Sequence, residues 1–517
     1  MQENKKNFLS KPSSKASRSK KRDLPPLLLI LLSALTLGLS RYPGSMGMFA
    51  FIALIPLFRY FDSSKKSSSE LLKAAAIFSN ANIAVAYSWI GLVTVTGVMG
   101  IAILFTLYYW AVFAFLNQVW HKKEWIKWLG FISIWLTFEF FLFLTEFRFP
   151  WLNIGYALSN FNLFVQIADI GGIHLISFML ILSNILLYRL LAGNKSALYL
   201  LMILFSLWIG YGYIRYNSID LKLEDLKIKM MQPSIGTDKF DLPADSILTI
   251  YDNRSRLASY EDLDLFIWPE AAVTGYPLRN SNTGEKIKDI ANKYKLNIFF
   301  GTTDAIKAPA DHPEPFYFYN TATLLRYPEL EYEDPYYKMY LVPVGERMPY
   351  LNLFPFLWKL EFGQANWEFG KELKYYTIKN KAGKEYTFSP QICYEILFPN
   401  ISNQMVRNGV DFIVNLTNDA WFRKSIGTYQ HAMMTRIRAI ETRTPIIRSA
   451  NTGHSLVVSP NGRIETYSRL YDVANFPAPI YTTKSKSLFV YYFYWLPYIF
   501  PICSFLIFLL ARFKYKK

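Results

Sequence analysis

The sequence predicts two parts: an α-helical multi-span membrane domain, and an α/β layered domain lying outside the cytoplasm ahead of a final span. Three observations predict it. Apolar runs crowd both ends of the 517 residues and are missing between about 215 and 487. Within that stretch short β-like runs alternate with helical ones, the pattern of a layered α/β domain. Lysine and arginine also fall almost entirely on one side of the apolar runs, which assigns the side on which the α/β block lies.

Composition agrees with this division. Hydrophobic residues make up 52% of the chain and charged residues 18%, against a usual charged share of about 25%. A formal charge of +17 in a soluble protein would suggest nucleic acid. Here the charge sits in an N-terminal tail and in short loops, so membrane topology accounts for it and no nucleic-acid partner is expected. The two cysteines, Cys393 and Cys503, lie far apart and no structural disulfide is expected.

Residues 1–23 are polar and basic, with Lys5, Lys6, Lys11, Lys15, Arg18, Lys20, Lys21 and Arg22, and are expected to be disordered. A cleaved leader is the alternative reading of such a start, but further apolar runs follow at once. A membrane helix needs about 20 mostly apolar residues. Candidate spans lie near 25–40, 46–61, 72–91, 98–119, 127–146, 162–188, 197–214 and 488–511. The first two are short and contain proline, so they read as a tight hairpin, and losing both would leave the parity unchanged. With the N-terminus inside, the cytoplasmic segments carry 21 lysines and arginines; the short loops opposite offer only Arg41 and Arg148. Both termini are then cytoplasmic. The expected division is a tail over 1–23, a membrane domain of about seven spans over 24–214, the α/β domain over 215–487, a last span over 488–511 and a basic end over 512–517.

In the α/β block, strand-like runs recur at 223–231, 263–268, 296–301, 319–325, 391–394, 412–416, 446–449 and 455–459, with helical stretches at 284–294 and 428–443. The segment Val457-Val458-Ser459-Pro460-Asn461-Gly462-Arg463-Ile464 carries an Asn-Gly hairpin turn.

Three residues make a candidate site. Cys393, in Pro390-Gln391-Ile392-Cys393-Tyr394-Glu395, stands at the end of a short strand as a covalent nucleophile would; the bland alternative is a buried, inert thiol. Glu270 closes the apolar run Leu265-Phe266-Ile267-Trp268-Pro269, placing a carboxylate where α/β domains usually bind ligands. Lys338 lies among aromatics in Tyr336-Tyr337-Lys338-Met339-Tyr340, where it would otherwise only snorkel. Acyl transfer through a thioester needs a thiol, a base for its proton, and positive charge where an oxyanion develops. A nearby ammonium is also expected to lower the thiol pKa.

Trp268-Pro269-Glu270, then Lys338-x-x-Leu341-Val342-Pro343-x-Gly345-Glu346, then Cys393-Tyr394-Glu395 resemble the nitrilase superfamily. More narrowly, the chain is similar to the apolipoprotein N-acyltransferases of bacterial inner membranes, with further matches at 149–156 and 418–427, and at Gln430, His431, Arg436, Arg438 and Glu441. The resemblance implies an αββα sandwich on the periplasmic side of a multi-pass inner-membrane protein. Cys393 would carry the acyl group, Glu270 act as general base and Lys338 stabilise the oxyanion, with Glu346 and Glu395 as supporting acids. Trp151, Tyr394 and Trp421 match aromatics along the lipid approach; interface anchoring or core packing is the competing explanation. The implied partners are a phospholipid donor and a diacylglyceryl apolipoprotein acceptor, served by a monomer without cofactor. Departures from the family pattern are Arg423-Lys424 after Trp421-Phe422, Gln232-Pro233-Ser234-Ile235, and Phe240.

Two other readings compete. A membrane-tethered amidase would keep the three residues and use water as acceptor, but one span would tether it. A transporter with a ligand-binding external domain would need charge within its spans, for which Glu139 and Asp169 are the candidates. Five histidines show no metal-ligand spacing, so no metal is expected.

Overall fold

The computed structural model describes residues 24–279, 281–359 and 366–512. The expected tail over 1–23 and residues 513–517 of the basic end lie outside them. Each of the eight apolar runs contains helix. Among the described residues, four helices are long and apolar enough to cross a membrane: Gly44–Asp62, Val95–Val119, Ala168–Leu191 and Ser196–Ser218; Pro26–Leu39 and Leu496–Arg512 are shorter apolar helices. The first pair does fold back on itself, with the Ser33 hydroxyl donating to the Ala53 carbonyl at 2.5 Å.

The run read as one span over 162–188 is broken. Gly171 and Gly172 leave helical geometry, and Gly172 has φ 63. A Cβ at Gly172 would come within 2.7 Å of the Glu441 carboxylate, so only glycine fits the break. The amide of Ile173, freed by the break, donates to Glu441 Oε1 at 3.0 Å. Glu441 belongs to helix Ile426–Thr442 of the α/β domain, so the broken helix is a point where the two parts interlock.

Asp169 and Glu139, the acids expected within spans, both accept from protein donors. Asp169 accepts from Arg443 at 2.7 Å, Arg215 at 2.7 Å and Tyr211 at 2.6 Å. Glu139 accepts from the Ile154 amide at 2.8 Å and Trp135 Nε1 at 3.1 Å, fixing the loop that contains Trp151. Asp169 is engaged through both of its oxygens and Glu139 through Oε1.

The α/β part is built on two six-stranded sheets among the described residues. One runs Ala474–Pro477, Ile228–Gln232, Leu265–Ile267, Ile298–Lys307, Phe316–Leu325, Tyr336–Tyr337; the other runs Ile464–Tyr467, Leu456–Val458, Ile446–Ala450, Phe412–Thr417, Glu385–Ile392, Tyr376–Lys379. Parallel pairs at the centre put Ile267 opposite Phe299 and Ile392 opposite Leu416.

Side chains alternate between faces along a strand. Leu265, Ile267 and Phe299 of one sheet therefore meet Phe388, Phe412 and Val414 of the other in a shared core. Phe266, Ile298 and Phe300 point outward onto helices Ala244–Ala258 and Ser281–Tyr294. On the far side Ile413, Ile446 and Val458 pack against Met433 and Ile437, and that core continues without interruption into the membrane helices. The layers are helix, sheet, sheet, helix, as in nitrilase-like domains, with the second helical layer seated on the membrane part.

The helix Ala244–Ala258 and the edge strands Tyr376–Lys379 and Ala474–Pro477 were not among the expected elements. Pro477 makes the last of these read as loop, and proline is tolerated there because an edge strand has amides that need no partner. The Asn461-Gly462 turn does join antiparallel strands, with Gly462 at φ 85.

Candidate active site

Glu270, Lys338 and Cys393 arrive from three separate segments. Glu270 follows strand Leu265–Ile267 and is 5% exposed. A Cβ at Gly301 would lie 2.7 Å from the Glu270 Cα, so glycine on the neighbouring strand is what lets the carboxylate segment pass. Its two oxygens accept from Asn320 Nδ2 and from the Asn418 amide, each at 2.7 Å.

Lys338 follows Tyr336–Tyr337 and is fully buried. Its amide donates to the Asn320 carbonyl at 2.9 Å, and its carbonyl accepts from Gly370 at 2.8 Å. The ammonium lies 2.7 Å from Glu346 Oε1 and 3.5 Å from Glu270 Oε1. Burial alone would favour the neutral amine; the carboxylates of Glu346 and Glu270 outweigh it and hold Lys338 protonated. Lys338 is thus an ion-paired interior cation and does not snorkel.

Cys393 directly follows strand Glu385–Ile392, at φ 52, and opens a tight helical turn over Cys393–Leu397. A non-glycine residue held in the left-handed region is strained and needs surrounding contacts to keep it there. Here the Cys393 carbonyl accepts from His431 Nε2 at 3.2 Å and Asn415 Nδ2 at 3.3 Å. Burial pushes the thiol pKa up, Glu270 pushes it further, and Lys338 opposes both without prevailing. Lys338 does lower the thiol pKa, as expected, but burial and Glu270 together outweigh it. Cys393 rests as a thiol under the influence of the Glu270 carboxylate.

The supporting acids divide their work. Glu346 touches the ammonium directly and accepts from the Val342 amide at 2.8 Å. Glu395 makes no bond to the ammonium. It accepts from the amides of Met339 at 2.6 Å, Tyr340 at 3.1 Å and Ile392 at 2.7 Å, and from the Tyr336 hydroxyl at 2.8 Å. One buried carboxylate thus pins the lysine segment to the cysteine turn. Burial pushes its pKa up to about 7, against these donors.

Sequence reasoning missed a second buried cluster beneath Cys393. Arg448 donates to Asp419 Oδ2 at 2.8 Å and to Asn415 Oδ1 at 2.6 Å, and reaches His431 Nδ1 at 3.0 Å. All four side chains are fully buried. Burial and Arg448 depress the His431 pKa; its Nε2 lies 3.2 Å from the Cys393 carbonyl, and its Nδ1 lies 2.9 Å from Asp419 Oδ1 and 3.0 Å from Arg448. Asp419, although buried, stays ionised beside Arg448 and His431. Asn320, which binds Glu270, was also missed, and nothing in its local sequence marks it.

A cavity of about 470 Å³ joins these groups to the membrane part. Glu270, Glu346, Cys393 and His431 line it, as do all three expected aromatics: Trp151, Tyr394 and Trp421. Trp151 stacks on Tyr394 with ring centres 5.6 Å apart and an interplanar angle of 20°. Its other wall is the first half of helix Val95–Val119, where Ile103 and Leu107 line the cavity while remaining 66% and 48% exposed. The site is therefore a buried polar floor with an apolar wall that opens sideways. Among the described residues no group of three or more histidine, cysteine or acidic side chains is placed to hold a metal ion.

The two parts match two family models in the same order. Residues 33–186 match the apolipoprotein N-acyltransferase N-terminal domain, and residues 236–466 match the carbon-nitrogen hydrolase family. The apolipoprotein N-acyltransferase of Geobacter metallireducens is 29% identical over 473 residues, covering 86% of this chain and 88% of its own. That of Chlorobaculum tepidum is 29% identical over 480 residues, covering 85% and 87%. That of Rickettsia prowazekii is 33% identical over 349 residues, covering 65% and 66%. The similarity to the first two relatives, over more than four fifths of this chain, is long enough to include both parts. With that order of domains, the chain belongs to the apolipoprotein N-acyltransferase family.

Proposed function

We propose that the enzyme moves an acyl chain from a phospholipid to Cys393 as a thioester, and from there to the N-terminal amine of a diacylglyceryl-cysteine on an apolipoprotein. The observation that carries this reading is the shape of the cavity: a nucleophile and base on a polar floor, reached along the exposed apolar face of a membrane helix. Lipids on both sides of the reaction can then enter laterally, without leaving the bilayer.

In the first half-reaction Glu270 takes the thiol proton as sulfur attacks the ester carbonyl. Lys338 has three protons to donate. Glu346 and Glu270 engage two, leaving the third for the oxyanion. The C–O bond breaks and the lysophospholipid oxygen takes the proton back from Glu270. In the second half-reaction the amine attacks the thioester, its proton passes to Glu270, and the C–N bond forms as C–S breaks; the thiolate recovers the proton. Keeping water out matters throughout, because hydrolysis would discard the thioester, and the apolar wall serves that end.

All these groups come from one chain, so a monomer suffices. We further propose that the protein sits in the inner membrane of a bacterium with the sandwich on the periplasmic side, as the bias of basic loops implies. Intact-mass measurement after incubation with phospholipid alone tests the chemistry. An acyl adduct on Cys393 is the expected result. No adduct, with turnover nevertheless present when acceptor is added, would rule out the two-step cycle.

A further inference from the structure

We propose that Arg148 binds the phosphodiester of the phospholipid donor and so sets which lipids load Cys393, a proposal that rests on the donor reading above. Among the described residues lining the cavity the charged ones are Arg148, Glu270 and Glu346; the Lys338 ammonium at its floor is already engaged by both carboxylates, which leaves Arg148 as the cation among the lining residues. A donor phospholipid brings a negative phosphate to a cavity whose floor is already acidic, and some positive group must meet it.

The position of Arg148 suits that task. Its guanidinium lies over the Tyr340 ring, 4.5 Å from the ring centre, and 5.7 Å from that of Phe398. Its Nε donates to the Thr145 carbonyl at 2.7 Å. Stacking and that one bond fix the plane of the guanidinium, while its two terminal nitrogens have no partner among the described residues. Glu146, the nearest acid in sequence, is turned away and accepts from the Tyr350 amide at 2.7 Å. A planar fork held on one edge and free on the other is the form in which arginine takes phosphate with two parallel bonds.

Arg148 is also tied to the nucleophile. Its carbonyl accepts from the Tyr394 hydroxyl at 2.5 Å, and Tyr394 is the residue after Cys393. One tyrosine side chain therefore links the cysteine turn to the backbone of Arg148. With the phosphate on Arg148, the ester is directed toward Cys393 and the acyl chain toward Ile103 and Leu107. The simpler role for such a residue is to anchor its loop by stacking on Tyr340. That role makes no distinction between donors with and without phosphate.

The test uses full-length enzyme in detergent and follows acyl-Cys393 by intact mass against donor concentration. The donors are phosphatidylethanolamine and a phosphate-free p-nitrophenyl ester of the same fatty acid. Charge-assisted bonds of this kind are worth about 10- to 100-fold. Arg148→Met is expected to lose that factor in loading efficiency from phospholipid, chiefly through half-saturation, and at least about tenfold more there than on the ester. Arg148→Lys, which keeps charge without the fork, should fall between. Equal losses on both donors, or none on phospholipid, would overturn the proposal while leaving the thioester cycle intact. Wild-type enzyme that loads from the ester but never from phospholipid would overturn both.

Discussion

Replacing Glu270 by Gln should abolish turnover and yet make Cys393 easier to ionise. The floor of the cavity carries two carboxylates, Glu270 and Glu346, against one ammonium, Lys338. It therefore holds one net negative charge before the thiol loses its proton. As a general scale, two unit charges about 5 Å apart at an effective dielectric of about 20 interact by about 3 kcal/mol. At 1.36 kcal/mol per unit that corresponds to about 2 pH units. Cys393 is partly exposed, so screening brings the expected change to about 1–2 units. The sign is definite. A carboxylate beside a thiol disfavours the thiolate, so removing its charge lowers the thiol pKa, while burial, the larger cause, still holds it above the ordinary value. The assay is alkylation by iodoacetamide as a function of pH, read by intact mass in a Cys503→Ala background so that Cys393 alone reports. The midpoint should move down in Glu270→Gln, while acyl transfer falls by about 10²–10⁴ for want of a base. A midpoint that stays put or rises, or normal turnover, would refute the charge count and with it the role of Glu270.

Other perturbations probe the rest of the site. Lys338→Met should lower acyl loading by about 10²–10³, the usual loss for one oxyanion donor; near-normal loading would remove Lys338 from the chemistry. Glu395→Gln puts an NH₂ group among four donors that now share one carboxylate, so loading should fall while phospholipid half-saturation stays near wild type; an effect on half-saturation alone would contradict a positioning role. His431→Phe removes the bond to the Cys393 carbonyl and should slow both loading and iodoacetamide labelling, whereas a purely structural histidine would lower thermal stability with labelling unaltered. Trp421→Ala should slow lipid turnover with Cys393 labelling intact, and Trp151→Ala should add a stability loss of about 3–5 kcal/mol; normal lipid turnover in both would leave these aromatics as packing.

What the sequence discloses depends on how local the cause is. Glu270 and Cys393 stand out because each closes an apolar strand, and strand ends are visible in a run of a few residues. The sandwich itself is legible for the same reason, apart from edge strands such as Ala474–Pro477, where proline hides the pairing. The bonds between segments are not local. Asn320 reaches Glu270 across 50 residues of sequence, and its face of the sheet depends on a register that no short pattern states. The thiol illustrates the point in energetic terms. Lys338 taken alone gives a lowered pKa; burial, which no local pattern states, outweighs it, and Glu270 adds to the rise.

Arg448 lies between these cases. Its strand, Ile446-Ile447-Arg448-Ser449-Ala450, is buried throughout, and an arginine inside such a run demands a carboxylate, because an unpaired buried charge is too costly to keep. That much follows from the sequence. Which acid answers does not: Asp419 is chosen because the parallel pairing sets Arg448 opposite Asn415 and Ala450 opposite Thr417, which brings the turn after Thr417 within reach. Once that partner is fixed, the rest follows in order. The arginine contacts His431 Nδ1, the histidine holds the Cys393 carbonyl, and that bond supports the left-handed backbone of Cys393. The register of one strand pair thus decides the conformation of the nucleophile.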